Sequence, residues 1–169
     1  MFRHGFNHRR PHHRPHPPHP PHPHPPKPHP PRPPRPMDHG PQPYVVDINR
    51  ATVQNTDYRS ALWTGPCLQL TLMSIPPGGE IGLEVHHDTD QFLRIEQGQG
   101  IVQMGPSQRN LNFRQPVFDN TAVFVPAGTW HNITNIGRTP LRLYSIYAPP
   151  HHPHGTVHHT KEIADRMGD

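Results

Sequence analysis

The chain has one cysteine, Cys67, so no disulfide can form within it, and a reducing compartment suits it. Long apolar runs are missing. None approaches the roughly 20 residues of a membrane-spanning helix, and the basic N-terminal residues have no apolar stretch behind them, as a secretory signal requires. Membrane insertion is therefore not expected, and the expected location is the cytoplasm. Acidic residues are missing from positions 1–36, which carry seven Lys or Arg and no Asp or Glu, whereas from Met37 onward nine Lys or Arg stand against twelve Asp or Glu. The basic character belongs to one end of the chain, which argues against a basic nucleic-acid binder, and no specific nucleic-acid binding is expected.

That basic end is built from proline and histidine. The stretch "PHHRPHPPHPPHPHPPKPHPPRPPRP" fixes φ at every second or third residue, removes backbone donors and offers almost no apolar side chain to bury. Residues 1–42 are expected to be a solvated, partly polyproline II arm without a packed fold. Ten of the eighteen histidines lie at or before His39, so the arm gains charge below pH ~6.5 and can hold transition metals loosely. Two uses remain open: a plain flexible arm, or a tether to an anionic surface or assembly, with a spore or cell-surface layer as the alternative location.

After Gly40-Pro41 the pattern changes to short β-rich runs: 44–48, 68–75, 80–86, 91–96, 100–105, 121–126, 131–136 and 141–148. Leu68, Leu70, Leu72 and Ser74 alternate on one face, as do Leu141, Leu143, Ser145 and Tyr147. Gly/Pro turns such as Pro76-Pro77-Gly78-Gly79 separate the runs, which suggests a sandwich or barrel over residues 43–150. Residues 151–169 form a tail, with helical character at 160–167 and Thr160 placed as its N-cap.

"GLEVHHDTDQFLRIEQGQG", residues 82–100, raises a choice between adjacent histidines. On a strand over 80–86, Glu84 and His86 share a face, while Val85 and His87 take the other. A short turn and antiparallel return would bring Gln91 close to His86. Glu84, His86 and Gln91 could then converge; a hairpin turning polar residues to water would leave the same pattern.

A second stretch, "PAGTWHNITN" at 126–135, completes a resemblance. It resembles the second conserved motif of the cupin superfamily, and the first stretch resembles the first, in the expected order: Gly78, five residues, Glu84-Val85-His86, four residues, Gln91, six residues, Gly98. The likeness spans roughly residues 44–150. It implies an all-β fold, the cupin double-stranded β-helix or jelly-roll barrel, and a metal set of Glu84, His86, Gln91 and His131. Glu84 replaces the family's first histidine, Gln91 its glutamate, and Asn120 the glycine that usually opens the second motif. The usual three histidines and one glutamate carry one negative charge, and so does the set found here. Carboxylate and imidazole suit a divalent Zn, Mn, Fe, Ni or Co; an amide oxygen binds more weakly, so Gln91 is either a ligand or an orienting neighbour.

More narrowly, "DQFLRIEQGQG", "VPAGTWHNITN" and "LYSIYAPPHHPHGTVHHTK" are similar to small single-domain bacterial cupins of the mannose-6-phosphate isomerase-like type. The likeness implies a small polar ligand, such as a sugar or sugar phosphate, and a homodimer; no catalytic residue is assigned. The alternative is a non-catalytic module anchored by its arm. Arg94 is weighed equally as an anion clamp inside the barrel and as a surface residue. Tyr147 is weighed as a pocket phenol or core residue, Trp130 as a packing or rim residue, and Phe92 and Ile95 as core. His158 approaches the site or belongs to a lid or dimer-contact tail, and Cys67 is expected to be buried.

Overall fold

The computed structural model describes residues 37–168. The expectation of an unpacked arm lies, for residues 1–36, outside the described residues. Nine strands form two antiparallel sheets: β1 (Arg59–Thr64), β2 (Gln69–Ile75), β3 (Asp90–Gln97), β4 (Gln99–Gly105), β5 (Phe113–Phe118), β6 (Ala122–Val125), β7 (Trp130–Asn135), β8 (Leu141–Ala148) and β9 (Val157–His158). The larger sheet runs β6-β3-β8-β2-β1-β9 and the smaller β5-β4-β7. Between them lies a core that includes Met73, Leu93, Ile95, Val102, Ile133, Leu141 and Leu143. This is the expected all-β jelly-roll barrel, and α2 (Lys161–Met167), whose N-cap is Thr160, adds the buried Ala164 to the core. No helix among the described residues is long and apolar enough to cross a membrane.

Three expectations are corrected. Residues 44–48 are not a strand: Val45 is 97% exposed, no neighbouring strand pairs with it, and α1 (Ile48–Gln54) begins there instead. Asp47 caps α1 by accepting from the Arg50 amide at 3.0 Å, and Ile48 and Ala51 pack on Leu62, Leu72 and Tyr144 outside the larger sheet. Residues 80–86 do not form a continuous strand either. They run beside β7 through isolated bridges, Glu80 to Thr134 and Glu84 to His131, with Gly82 at φ 103° between them. Cys67 is exposed, because it falls in the turn after Gly65-Pro66 rather than within a strand.

β1 and β5 carry no clean alternation. β1 is covered on both faces, its first four residues all buried. β5 is an edge strand containing Pro116, a place where the missing donor is tolerated. Asn120 stands where the family motif has glycine and takes φ 68°, the left-handed conformation that asparagine tolerates best among side-chain-bearing residues.

Candidate metal centre

Glu84 and His131 are placed by their backbones. The Glu84 amide donates to the His131 carbonyl at 3.0 Å, and the His131 amide donates back to the Glu84 carbonyl at 2.9 Å. Such a reciprocal pair sets the two side chains next to each other on one face. His86 lies two residues on, and its carbonyl accepts from the Gly128 amide at 2.7 Å, which ties it to the β6–β7 turn. The candidate ligand atoms of Glu84, His86 and His131 lie within 4.8 Å of one another. Glu84 Oε1 is 3.4 Å from His86 Nε2 and 3.3 Å from His131 Nε2. His131 is fully buried and His86 is 6% exposed, whereas His87 faces solvent outside the cluster.

The donor set fits a cation. His131 Nδ1 lies 3.0 Å from the Thr129 carbonyl oxygen. A carbonyl can only accept, so Nδ1 carries the proton of the neutral ring and Nε2 turns a lone pair toward Glu84. His131 Nε2, both ring nitrogens of His86 and Glu84 Oε1 are buried without a hydrogen bond. Acceptors facing one another at this range need a proton or a cation between them. Burial works against charge on Glu84, but in the metal-free centre a proton shared with it by His131 or His86, together with the Arg59 guanidinium, more than offsets burial and holds the carboxyl well below the usual carboxylate range.

Gln91 reaches the interior by another route than expected. The stretch containing His86 pairs with β7, and β3 pairs with β6 and β8, so no hairpin joins His86 to Gln91. Gln91 sits opposite Tyr147 on the inner face, donates Nε2 to Ser145 Oγ at 2.9 Å and leaves its buried Oε1 unbonded. Tyr147 is fully buried with its ring 5.7 Å from that of His86. Burial holds its phenol above the usual range, so it stays a donor, and the hydroxyl makes no hydrogen bond of ordinary geometry.

Residues after β8 fold over this end. His151 places its ring 4.0 Å from that of His86, and burial, with His86 and His152 beside it, pushes its pKa down to about 4. Gln69 and His152 exchange two hydrogen bonds, Gln69 Nε2 to the His152 carbonyl and the His152 amide to Gln69 Oε1, both 2.9 Å. His158 is buried on β9 opposite Arg59. Arg94 points outward and donates to Asn120 at 3.0 Å, with Glu96 3.2 Å away, so it is a surface residue. Trp130 is half-buried and Ile95 is core, while Phe92 packs on the outer cluster with Tyr144. Sequence reasoning missed Arg59 and the individual roles of His151 and His152. Arg59 sits in a strand without a readable period, and the two histidines sit in a loop where composition alone was informative.

Comparison with known proteins follows the same outline. The Cupin domain family matches residues 71–147. The chain is 64% identical over 127 residues to the uncharacterized protein YrkC of Bacillus subtilis, covering 75% of this chain and 68% of that one. It is 40% identical over 117 residues to the uncharacterized protein L612 of Acanthamoeba polyphaga mimivirus, covering 69% and 71%. The crystal structure of BH2720 from Bacillus halodurans superposes with a TM-score of 0.77 at 61% identity, over 77% of this chain and 98% of that one.

Proposed function

Because the chain belongs to the cupin family, we propose that Glu84, His86 and His131 hold a divalent cation inside the barrel and that this centre binds or acts on a small polar ligand. The observation that carries it is the set of buried polar atoms on His86, His131 and Glu84 that makes no hydrogen bond among the described residues. Nitrogen and carboxylate donors suit Zn, Mn, Fe, Ni or Co. A bound divalent ion would polarise a ligand oxygen or acidify a water. The chain's own residues prepare the place. Thr129 fixes the His131 tautomer, Ser145 holds the Gln91 amide so that Oε1 is free to act as a fourth donor or to orient a ligand, and His151 packs its ring against that of His86. A sugar or sugar phosphate is the finer proposal within the mannose-6-phosphate isomerase-like type. No general base is assigned, because fold does not carry a reaction with it.

Metal content of the untagged full-length chain tests this, after passage over a chelating resin that strips loosely held ions. Wild type and His87→Ala should each retain about one equivalent, while Glu84→Gln, His86→Ala and His131→Ala should retain far less. Equal loss in His87→Ala, or no retained metal in wild type, would count against the site.

The composition of residues 1–36 supports a second use, in which the basic arm anchors the barrel to an anionic surface or coat such as a spore layer. Cell fractionation with and without those residues tests it; an unchanged distribution would remove its support.

A further inference from the structure

The two histidines of the candidate centre are held in place by different means. His131 Nδ1 sits 3.0 Å from the Thr129 carbonyl oxygen, a hydrogen bond that fixes both the tautomer and the ring plane. His86 has no such anchor. Its Nε2 faces Glu84 Oε1 at 3.4 Å, and when that nitrogen gives its lone pair to a cation, the proton of the neutral ring lies on Nδ1. Nδ1 is buried and makes no hydrogen bond. What surrounds the His86 ring instead is other rings: His151 at 4.0 Å, His131 at 5.4 Å and Tyr147 at 5.7 Å between centroids. His131 and Tyr147 are fully buried on β7 and β8. His151, the nearest of the three, is exposed and belongs to no strand.

An exposed ring on a loop keeps one neighbour only if the loop is pinned. Residues 149–156 cross from β8 to β9, and side chains of the barrel fasten them. The fully buried Gln69 on β2 donates Nε2 to the His152 carbonyl and accepts from the His152 amide, both at 2.9 Å. Its Nε2 also donates to Thr64 Oγ1 at 2.9 Å. Further along, the Asp38 carboxylate accepts from the Gly155 amide at 2.9 Å, and the Thr156 carbonyl accepts from the Ala61 amide at 2.8 Å. The residue next to the double Gln69 bond is the one laid on His86. We propose that His151 is a positioning residue of the metal centre: its ring fixes the His86 ring by packing, as the Thr129 carbonyl fixes His131, and Gln69 is the latch that holds it there. The χ2 angle of a histidine is broad when nothing restricts it, and a ring in van der Waals contact narrows it. A metal gains from that restriction because the lone pair must be aimed at it.

This inference deepens the metal-site proposal and rests on it. Competition between the full-length chain and a chromogenic chelator for zinc tests it, in wild type, His151→Ala, His151→Phe and Gln69→Ala, with urea unfolding of each metal-free chain run beside. His151→Ala should bind zinc on the order of 10-fold more weakly, and its unfolding midpoint should stay near that of wild type because the side chain is exposed. His151→Phe keeps a ring and lacks both nitrogens, and it should restore most of the affinity. Gln69→Ala leaves His151 in the chain but releases the strap, and it should weaken zinc binding in the same direction. Wild-type affinity in His151→Ala would overturn the proposal. Equal losses in His151→Ala and His151→Phe would overturn it too, because a nitrogen of His151 would then be what matters. Wild-type affinity in a folded Gln69→Ala would overturn the latch; if that variant does not fold, the two His151 variants decide. Failure at His151 overturns this inference only, whereas a wild type that holds no zinc or other divalent ion overturns the metal site and this inference together.

Discussion

His86 and His87 have the same chemistry and opposite surroundings, and backbone geometry alone separates them. The reciprocal amide bonds between Glu84 and His131 keep the local chain extended, so side chains at 84 and 86 face the interior and 87 faces water. Ser145 gives a test of the fourth position. Ser145→Ala removes the hydroxyl that accepts from Gln91 Nε2, and loss of such a supporting bond should weaken metal binding on the order of 10-fold. Competition with a chromogenic chelator measures it, and unchanged affinity would remove Gln91 from the metal's surroundings. Alternation was enough to pair Glu84 with His86, and motif spacing was enough to name His131. Arg59 was not readable, since an arginine after a tyrosine in a run of mixed polarity gives no sign that it points into a barrel.

At the level of elements, periodicity was legible where one face of a strand is dry and the other wet, as in β3, β4 and β7. It failed for β1, buried on both faces, and for residues 80–86, where Gly82 interrupts the pairing and β7 replaces the expected partner. It also misassigned 44–48, where β-branched residues precede a short helix set by its cap. Asp47→Ala should cost about 1 kcal/mol in urea unfolding, the usual worth of an N-cap. Gly98 should tolerate replacement less well. It takes φ 108° and a Cβ there would lie 3.0 Å from the Leu141 Cα, so Gly98→Ala should cost more than about 1 kcal/mol through backbone strain. Equal stability of wild type and Gly98→Ala would contradict that geometry.

At the scale of the whole molecule, the first and last described segments are fastened to each other through Asp38. Its carboxylate accepts from Thr64 at 2.6 Å, Gly155 at 2.9 Å and Gly40 at 3.0 Å, with His154 3.5 Å away. Burial opposes charge there, but these donors more than offset it and lower the pKa. A folded pKa below the unfolded value of ~3.9 means stability that is present above that value and lost as pH falls through the folded one. Asp38→Asn should therefore melt at a lower temperature than wild type at pH 7, with the gap narrowing as pH falls below ~3.9; a constant gap would assign the loss to something other than the carboxylate's charge. The eighteen histidines also mean that metal content alone can mislead, because the arm can bind ions loosely. The most direct test of the metal centre is therefore anomalous diffraction from crystals of the metal-loaded chain. A single strong peak within bonding distance of Glu84, His86 and His131 is the predicted result. Full metal loading with no peak at those three side chains would contradict it.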